Sequence, residues 1–256
     1  MTPPPPTGRR TPRLIPVLDV MGGRVVRAVG GRRTEYQPIR SRLTESTEPV
    51  TVAKALLATT SAAELYVADL DAITGRMPFA LAVLHEICAI TAPLWLDSGL
   101  REVIDVLPIH ESPHAYPILG IETATSPNLI SECKFALDFP PVAVSIDLRD
   151  GQLLGNWKAW GANGPRDAIG VARTAIQHGA DALILLDLAR VGTGAGGGTE
   201  ELLRAIRAVF PAVELIAGGG VKTWSDVDRL GDAGADAVLV ASALHDGTVT
   251  FPRPAP

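Results

Sequence analysis

The chain has 256 residues, 46% of them apolar and 20% charged, enough material for one large core or two small ones. Its formal net charge of -5 comes from 23 basic and 28 acidic residues spread along the sequence, so no positive block offers a track for a nucleic-acid backbone. The longest apolar runs, such as Ala182–Leu186, fall far short of the ~18 residues a membrane span needs, and the chain reads as soluble, with no membrane partner.

The first twelve residues, Met1-Thr-Pro-Pro-Pro-Pro-Thr-Gly-Arg-Arg-Thr-Pro12, lack the apolar segment of a secretory signal, and their prolines favour a disordered, solvated arm; residues 249–256 read as a similar tail. Between these tails, in a single domain over residues 13–248, short β-branched or leucine-rich runs alternate with longer amphipathic ones, the pattern of βα units around a parallel sheet. Strands are predicted at Leu14–Leu18, Leu65–Asp69, Leu94–Asp97, Tyr116–Leu119, Val142–Asp147, Ala182–Asp187, Val213–Ala217 and Ala237–Ala241. Helices are predicted at Val50–Thr60, Phe79–Ile90, Arg101–Leu107, Pro127–Leu137, Pro165–His178, Glu200–Val209 and Trp224–Ala233. Pro165 suits a first helical turn, Ser225 and Asp226 suit a helix start, and Gly179 and Gly234 sit where helices end.

The sequence also repeats itself. Ile15-Pro-Val-Leu-Asp19-Val-Met-Gly-Gly-Arg24-Val-Val is echoed by Ala143-Val-Ser-Ile-Asp147-Leu-Arg-Asp-Gly-Gln152-Leu-Leu, and Asp97-Ser-Gly99-Leu-Arg101 by Gly218-Gly-Gly220-Val-Lys222. Asp19 and Asp147 are 128 residues apart, half the chain and room for four βα units of ~30 residues, so the repeat predicts a closed (β/α)8 barrel over an open doubly wound sheet.

In such a barrel the loops after the strands form the active face. Asp19, Asp69, Asp71, Asp97, Asp147 and Asp187 stand at or just past the strand ends. Aspartate there commonly caps a helix, but several carboxylates facing one mouth raise one another's proton affinity, and a pair across the mouth can act as general acid and base. Asp19 and Asp147 form the symmetric pair, with Asp187 as an alternative partner for Asp19. Glycine-rich strand ends at Gly99, Gly120, Gly192–Gly198 and Gly218–Gly220 let backbone amides approach an anion, and two such loops across the mouth point to a phosphorylated substrate. Trp157 and Trp160, in the loop after the fifth strand, offer a face for a planar ring or a loop anchor. The five histidines show no ligand-like spacing, and Cys88 and Cys133 read as packed thiols of a reducing, cytoplasmic compartment.

Over nearly the whole chain, from Ile15 to about Gly247, these motifs resemble the HisA/HisF phosphoribosyl barrels of histidine biosynthesis. The strongest pieces are Ile15-Pro-Val-Leu-Asp19-Val-x-x-Gly-Arg24-Val-Val-Arg27, Val67-Ala-Asp69-Leu-Asp71-Ala, Ser145-Ile-Asp147, Leu186-Asp187-Leu and Ala217-Gly-Gly-Gly220-Val. The resemblance implies an Amadori rearrangement of an aminoaldose to an aminoketose with no metal or organic cofactor. It makes Asp19 the first catalytic aspartate, Asp187 the sixth-strand partner of the isomerase branch and Asp147 the fifth-strand aspartate of the cyclase branch. It places phosphate on Gly99, Arg101, Gly120 and Thr123 at one side and on Gly192, Thr193, Gly218, Gly219, Gly220 and Ser242 at the other; Trp157, from its place in the loop after the fifth strand, is the candidate for stacking on the substrate.

The chain also departs from the family pattern. Gly-Gly-Gly-Ile-Arg of the third strand becomes Asp97-Ser-Gly99-Leu-Arg101, Asp-Gly-Thr of the sixth loop becomes Val191-Gly192-Thr193, and the glycine and basic residue of the eighth strand become Ala241-Ser242. Three functions are therefore expected from the sequence: the histidine-pathway isomerase, a divergent paralogue acting on another phosphorylated sugar, with one-carbon cofactor metabolism of the methanopterin type as its setting, or a non-catalytic phosphate-ligand binder.

Overall fold

Strands that are apolar on both faces are stable only when helices cover one face and a barrel interior takes the other. The computed structural model of the chain describes residues 11–253 apart from 79–80, 92, 113, 161–163 and 194–197. Its first half runs β1 (Arg13–Met21), β2 (Arg24–Arg27), β3 (Gln37–Pro38), α1 (Pro49–Thr60), β4 (Leu65–Asp69), α2 (Leu70–Ile73), α3 (Leu81–Cys88), β5 (Leu94–Asp97), α4 (Leu107–His110), β6 (Ala115–Gly120) and α5 (Asn128–Ala136). The second half runs β7 (Ala143–Arg149), β8 (Gln152–Leu153), α6 (Ala168–Gln177), β9 (Ala182–Asp187), α7 (Glu200–Val209), β10 (Glu214–Gly218), α8 (Trp224–Asp232), β11 (Ala237–Val240) and α9 (Ser242–His245).

Strands β1, β4, β5, β6, β7, β9, β10 and β11 pair in that order, all parallel, and β11 pairs back onto β1 from Arg13 against Ala237 to Pro16 against Val240. The fold is a closed (β/α)8 barrel. The half-repeat survives in three dimensions: β2 folds back antiparallel on β1, and β8 does the same on β7.

Strand periodicity divides the side chains into two shells. Ile15 and Val17 of β1, Tyr66 and Ala68 of β4, Trp95 of β5, Ile118 of β6, Ala143 of β7, Ile184 of β9, Ile216 of β10 and Leu239 of β11 fill the barrel interior. Their neighbours of opposite parity, among them Leu18, Val67, Leu96, Leu119, Ile146, Leu185, Leu215 and Val238, pack under the helices. Interior residues at the upper strand ends face the cavity described below.

The helices differ from the sequence reading at their starts. The predicted helix over residues 101–107 is a 3-10 turn, Val103–Val106, followed by α4, with Pro108 in the first turn of α4. Pro165 stands before α6 rather than in it, because Asp167 takes the N-cap position and its side chain accepts from Gly170 N–H. Helix α8 is capped by Thr223, with Asp226 completing a capping box, and Ser225 has no part in the cap. Phe79 and residues 1–10 lie outside the described residues. At the other end, the stretch read as a tail from residue 249 is docked as far as Arg253: Val249 is buried, Phe251 meets Trp224 edge-on at 5.2 Å between ring centroids, and Arg253 pairs with Asp228 at 2.6 Å.

The α8 cap is a testable part of the frame. Replacing Thr223 by Ala removes the side-chain acceptor for Asp226 N–H, and is expected to cost about 1 kcal/mol. A urea midpoint lowered at unchanged slope would show it; an unchanged midpoint would discount the cap.

Candidate active site

The upper barrel end opens into a cavity of about 480 Å³ lined by the polar side chains of Asp19, Asp97, Glu122, Asp147, Tyr36, Tyr66, Arg33 and Arg149 and by Gly192, Thr193, Gly219, Gly220, Lys222 and Ser242. Asp19 and Asp147 stand at inward positions of β1 and β7, the first and fifth strands of the barrel, and so face one another across the mouth. Asp97 joins them from β5. In the register it shares a layer with Asp19 through Ala68 of β4, whose methyl leaves room between the two carboxylates.

Burial dominates the electrostatics. It pushes Asp19 up to about 7, with Arg33 partly opposing the rise. Asp97 also rises to about 7, through burial and then the negative charges of Asp147 and Glu122, although Gly99 N–H and Arg33 favour its ionised form. Asp147 rises to about 6 through burial and the negative charge of Glu122, held lower by the Ser145 hydroxyl, which donates to Asp147 Oδ1 at 2.9 Å, and by Arg33. Tyr36 is pushed up to about 12 by burial and by Asp19, so its phenol stays protonated at neutral pH. Arg33 crosses the mouth from the loop after β2 and pairs with Glu122 at 2.6 Å.

The glycine pair Gly219-Gly220, at φ +92° and +69°, turns the chain over the end of β10 in a conformation that side-chain-bearing residues rarely adopt. With Gly192, Thr193 and Ser242 it forms the wall that the sequence assigns to an anion, and Lys222 adds a cation there. Gly218 packs behind this wall, its Cβ position 2.8 Å from Leu186 Cδ2 and 2.9 Å from Leu239 Cβ. Residues 194–197 of the sixth loop lie outside the described residues.

Other predicted site residues are not brought to the cavity. Asp187 has the outward parity of β9 and is 1% exposed. Its carboxylate accepts from Asp150 N–H (3.1 Å), Gly151 N–H (3.0 Å) and Ala189 N–H (3.1 Å), which ties the β7–β8 hairpin to β9. Asp69 likewise faces outward and caps α2 at Ala72 N–H, and Asp71 accepts from Gly22 N–H. Gly99, Arg101, Gly120 and Thr123 do not line the cavity. Gly99 is required by packing, since at φ +66° its Cβ position falls 2.5 Å from Ile73 Cα. Arg101 donates to the carbonyls of Gly99 (2.8 Å) and Ile73 (2.7 Å), and the Thr123 hydroxyl to that of Gly120 (3.3 Å). Trp157 packs against the outer core with Lys158 Nζ 5.3 Å from its ring, and Trp160 Nε1 donates to Ala124 O at 3.1 Å, so both tryptophans anchor the loop.

The family model described as "Histidine biosynthesis protein" matches residues 13–250. The chain belongs to the histidine biosynthesis protein family. Two relatives, both named 1-(5-phosphoribosyl)-5-((5-phosphoribosylamino)methylideneamino) imidazole-4-carboxamide isomerase, come from Natronomonas pharaonis and Desulforudis audaxviator. The first is 32% identical over 242 residues, covering 93% of this chain and 95% of that protein. The second is 29% identical over 242 residues, covering 93% and 88%. Within the family frame the residues added by the structure are Arg33, Tyr36, Tyr66, Glu122 and Arg149. A signal for the first two was present: the segment between Met21 and Pro49 is long for a βα loop and rich in arginine, and such loops on the upper face carry function.

Two outcomes follow from these environments. A carboxyl whose folded value is raised stays protonated in the native state while the unfolded chain releases its proton, so its contribution to stability is greatest near pH 4 and falls as pH rises to about 7. Asp97→Asn, which keeps an oxygen for Gly99 N–H, is expected to be more stable than the native chain at pH 8 by up to about 4 kcal/mol and nearly equal to it at pH 4. Parallel melting curves across that range would sink this account. Asp187→Ala, in contrast, leaves three amides without their acceptor and is expected to lose about 2–4 kcal/mol in urea unfolding at neutral pH.

Proposed function

We propose that the chain is an intramolecular oxidoreductase converting a phosphorylated ribosylamine from aldose to ketose by an Amadori rearrangement. The observation that carries the reading is the placement of Asp19 and Asp147 on opposite walls of one cavity that has a glycine-lined anion wall on its third side, in a chain of this family. The named activity of the relatives, an isomerase of a phosphoribosyl compound, supports it.

The two raised values suit two roles. Asp19, raised to about 7, keeps a substantial protonated fraction at neutral pH and serves as the general acid, while Asp147, raised less, to about 6, keeps the larger ionised fraction and serves as the base. Asp19 protonates the ring oxygen and the C1–O bond opens to a protonated imine. Asp147 takes the proton from C2, and the resulting enaminol gains a proton at C1 as its oxygen loses one, giving the aminoketose with no net gain or loss of atoms. The phosphate rests against Gly219, Gly220, Thr193, Lys222 and Ser242, where positively directed groups hold the sugar while protons move.

A second reading, a paralogue acting on a different phosphorylated sugar from that of the relatives, is favoured by one observation. The sixth loop presents Val191 to the cavity, and Asp187 points away from it. Conversion of the relatives' named substrate, followed alongside an N-aryl ribosylamine 5-phosphate, separates the two. Asp19→Asn is expected to lower kcat by about 10²–10⁴-fold with folding intact. The pH profile is expected to fall below about 6 as Asp147 is protonated and above about 7 as Asp19 is ionised. Failure to isomerise either compound, by a folded sample, would leave a ligand-binding barrel.

A further inference from the structure

Beyond the substrate reading, and independent of it, we propose that a cleft beside the C-terminal end of α9 is a second anion-binding site, in which Arg40, Arg42 and His245 hold a phosphate-bearing ligand other than the sugar in the cavity.

Helix α9 runs from Ser242, which lines the cavity, to His245, which lines an open cleft of about 490 Å³ with Arg40, Ser41, Arg42, Asp246 and Thr248. Arg40, Ser41, Arg42 and His245 have no part in the cavity lining, whereas Asp246 and Thr248 face both spaces. The two spaces are neighbours with different walls.

The first observation is charge. In a chain of net charge -5, Arg40 and Arg42 are both exposed on this cleft, and neither guanidinium forms an ion pair with a described residue. Arg42 is nonetheless held in place: its N–H donates to His245 O at 2.9 Å, and its Cδ lies 3.3 Å from the Cβ position of Gly247. Asp246, the carboxylate that lines the cleft, has both oxygens taken by Arg27, whose Nη1 donates to Oδ1 at 2.8 Å and Nη2 to Oδ2 at 2.5 Å. With that pair balanced, the two arginines leave the cleft positive, and a bound anion relieves their mutual repulsion.

The second observation is a buried donor. His245 is 2% exposed, and burial pushes it down to about 4, so its ring is neutral at neutral pH. Its Nδ1 lies 2.9 Å from Ser41 Oγ, which already accepts from Leu43 N–H at 3.0 Å and has its own proton to give. With Nδ1 accepting that proton's hydrogen bond, the ring proton sits on Nε2. Nε2 bonds to no described residue and reaches the cleft surface. Two guanidinium groups and an imidazole N–H around one space suit a tetrahedral oxyanion, whose several acceptor oxygens engage all three, better than a single carboxylate.

Titration of the full chain with inorganic pyrophosphate, with saturating ribose 5-phosphate present to fill the cavity, tests this. The readout is side-chain proton–nitrogen NMR of His245, with His245→Gln assigning its signal among the five histidines. The Nε2 signal is expected to move saturably, and the double substitution Arg40→Gln and Arg42→Gln, at two exposed positions, is expected to weaken that binding at least about tenfold. No movement of the signal, a linear drift without saturation, or equal affinity in the double variant overturns the proposal. Pyrophosphate that binds only when ribose 5-phosphate is left out, without moving His245, lies in the cavity; the proposal then falls while the phosphate wall stands. Saturable binding at His245 in a chain that does not bind ribose 5-phosphate upholds the cleft and removes the phosphorylated-substrate reading.

Discussion

The pairing of β11 back onto β1, in the register that sets Arg13 against Ala237 and Pro16 against Val240, is the constraint on which the site depends. Closure settles which residue of every strand faces inward, because side chains alternate along each strand and a shift of one residue would exchange interior for exterior. In the observed register Asp19, Asp97 and Asp147 come to the cavity, while Asp69 and Asp187 turn toward the outer shell. The same carboxylate chemistry therefore does two different jobs: inward, it sits with few partners and a raised proton affinity; outward, it gathers main-chain amides and holds the loops that frame the mouth.

Collecting three carboxyl groups in a buried mouth opposes folding, and the surroundings relieve it only in part. Arg33 lowers all three, Ser145 donates to Asp147, and Gly99 donates to Asp97. The remainder appears as proton affinity near neutrality, the range in which a carboxyl can both give and take a proton. Arg33 reaches this position because the segment between β2 and β3 arches over the mouth, with its 3-10 turn at Arg33–Glu35 and Tyr36 buried beneath it. Stability and chemistry are coupled through this one segment.

Much of the fold was legible. β4, β5 and β9 begin and end where the apolar runs do, and α7 spans the predicted Glu200–Val209. Helix starts were less so, since a proline and a nearby aspartate compete for the first turn, as at Pro165 and Asp167. In the site, Asp19, Asp147 and the glycines of the β10 end stood where the repeat placed them. Asp187 and the Gly99 side did not. Strands buried on both faces show no alternation of polar and apolar residues, so the run Ala182–Asp187 carries no mark of which parity looks inward. Nor does a glycine announce whether it is needed for an anion or for a neighbouring backbone, as Gly99 is for Ile73.

By itself the sequence determined the alternation of strand and helix, the half-chain repeat and the aspartates and glycines at strand ends, because these depend on local hydrophobic pattern and turn chemistry. Only the tertiary structure decided which of those aspartates share the cavity, that Trp157 braces a loop, and that Glu122 and Arg33 meet although 89 residues separate them. Those outcomes follow from barrel register and from competition for hydrogen bonds among distant groups, and neither is written in any local stretch of chain.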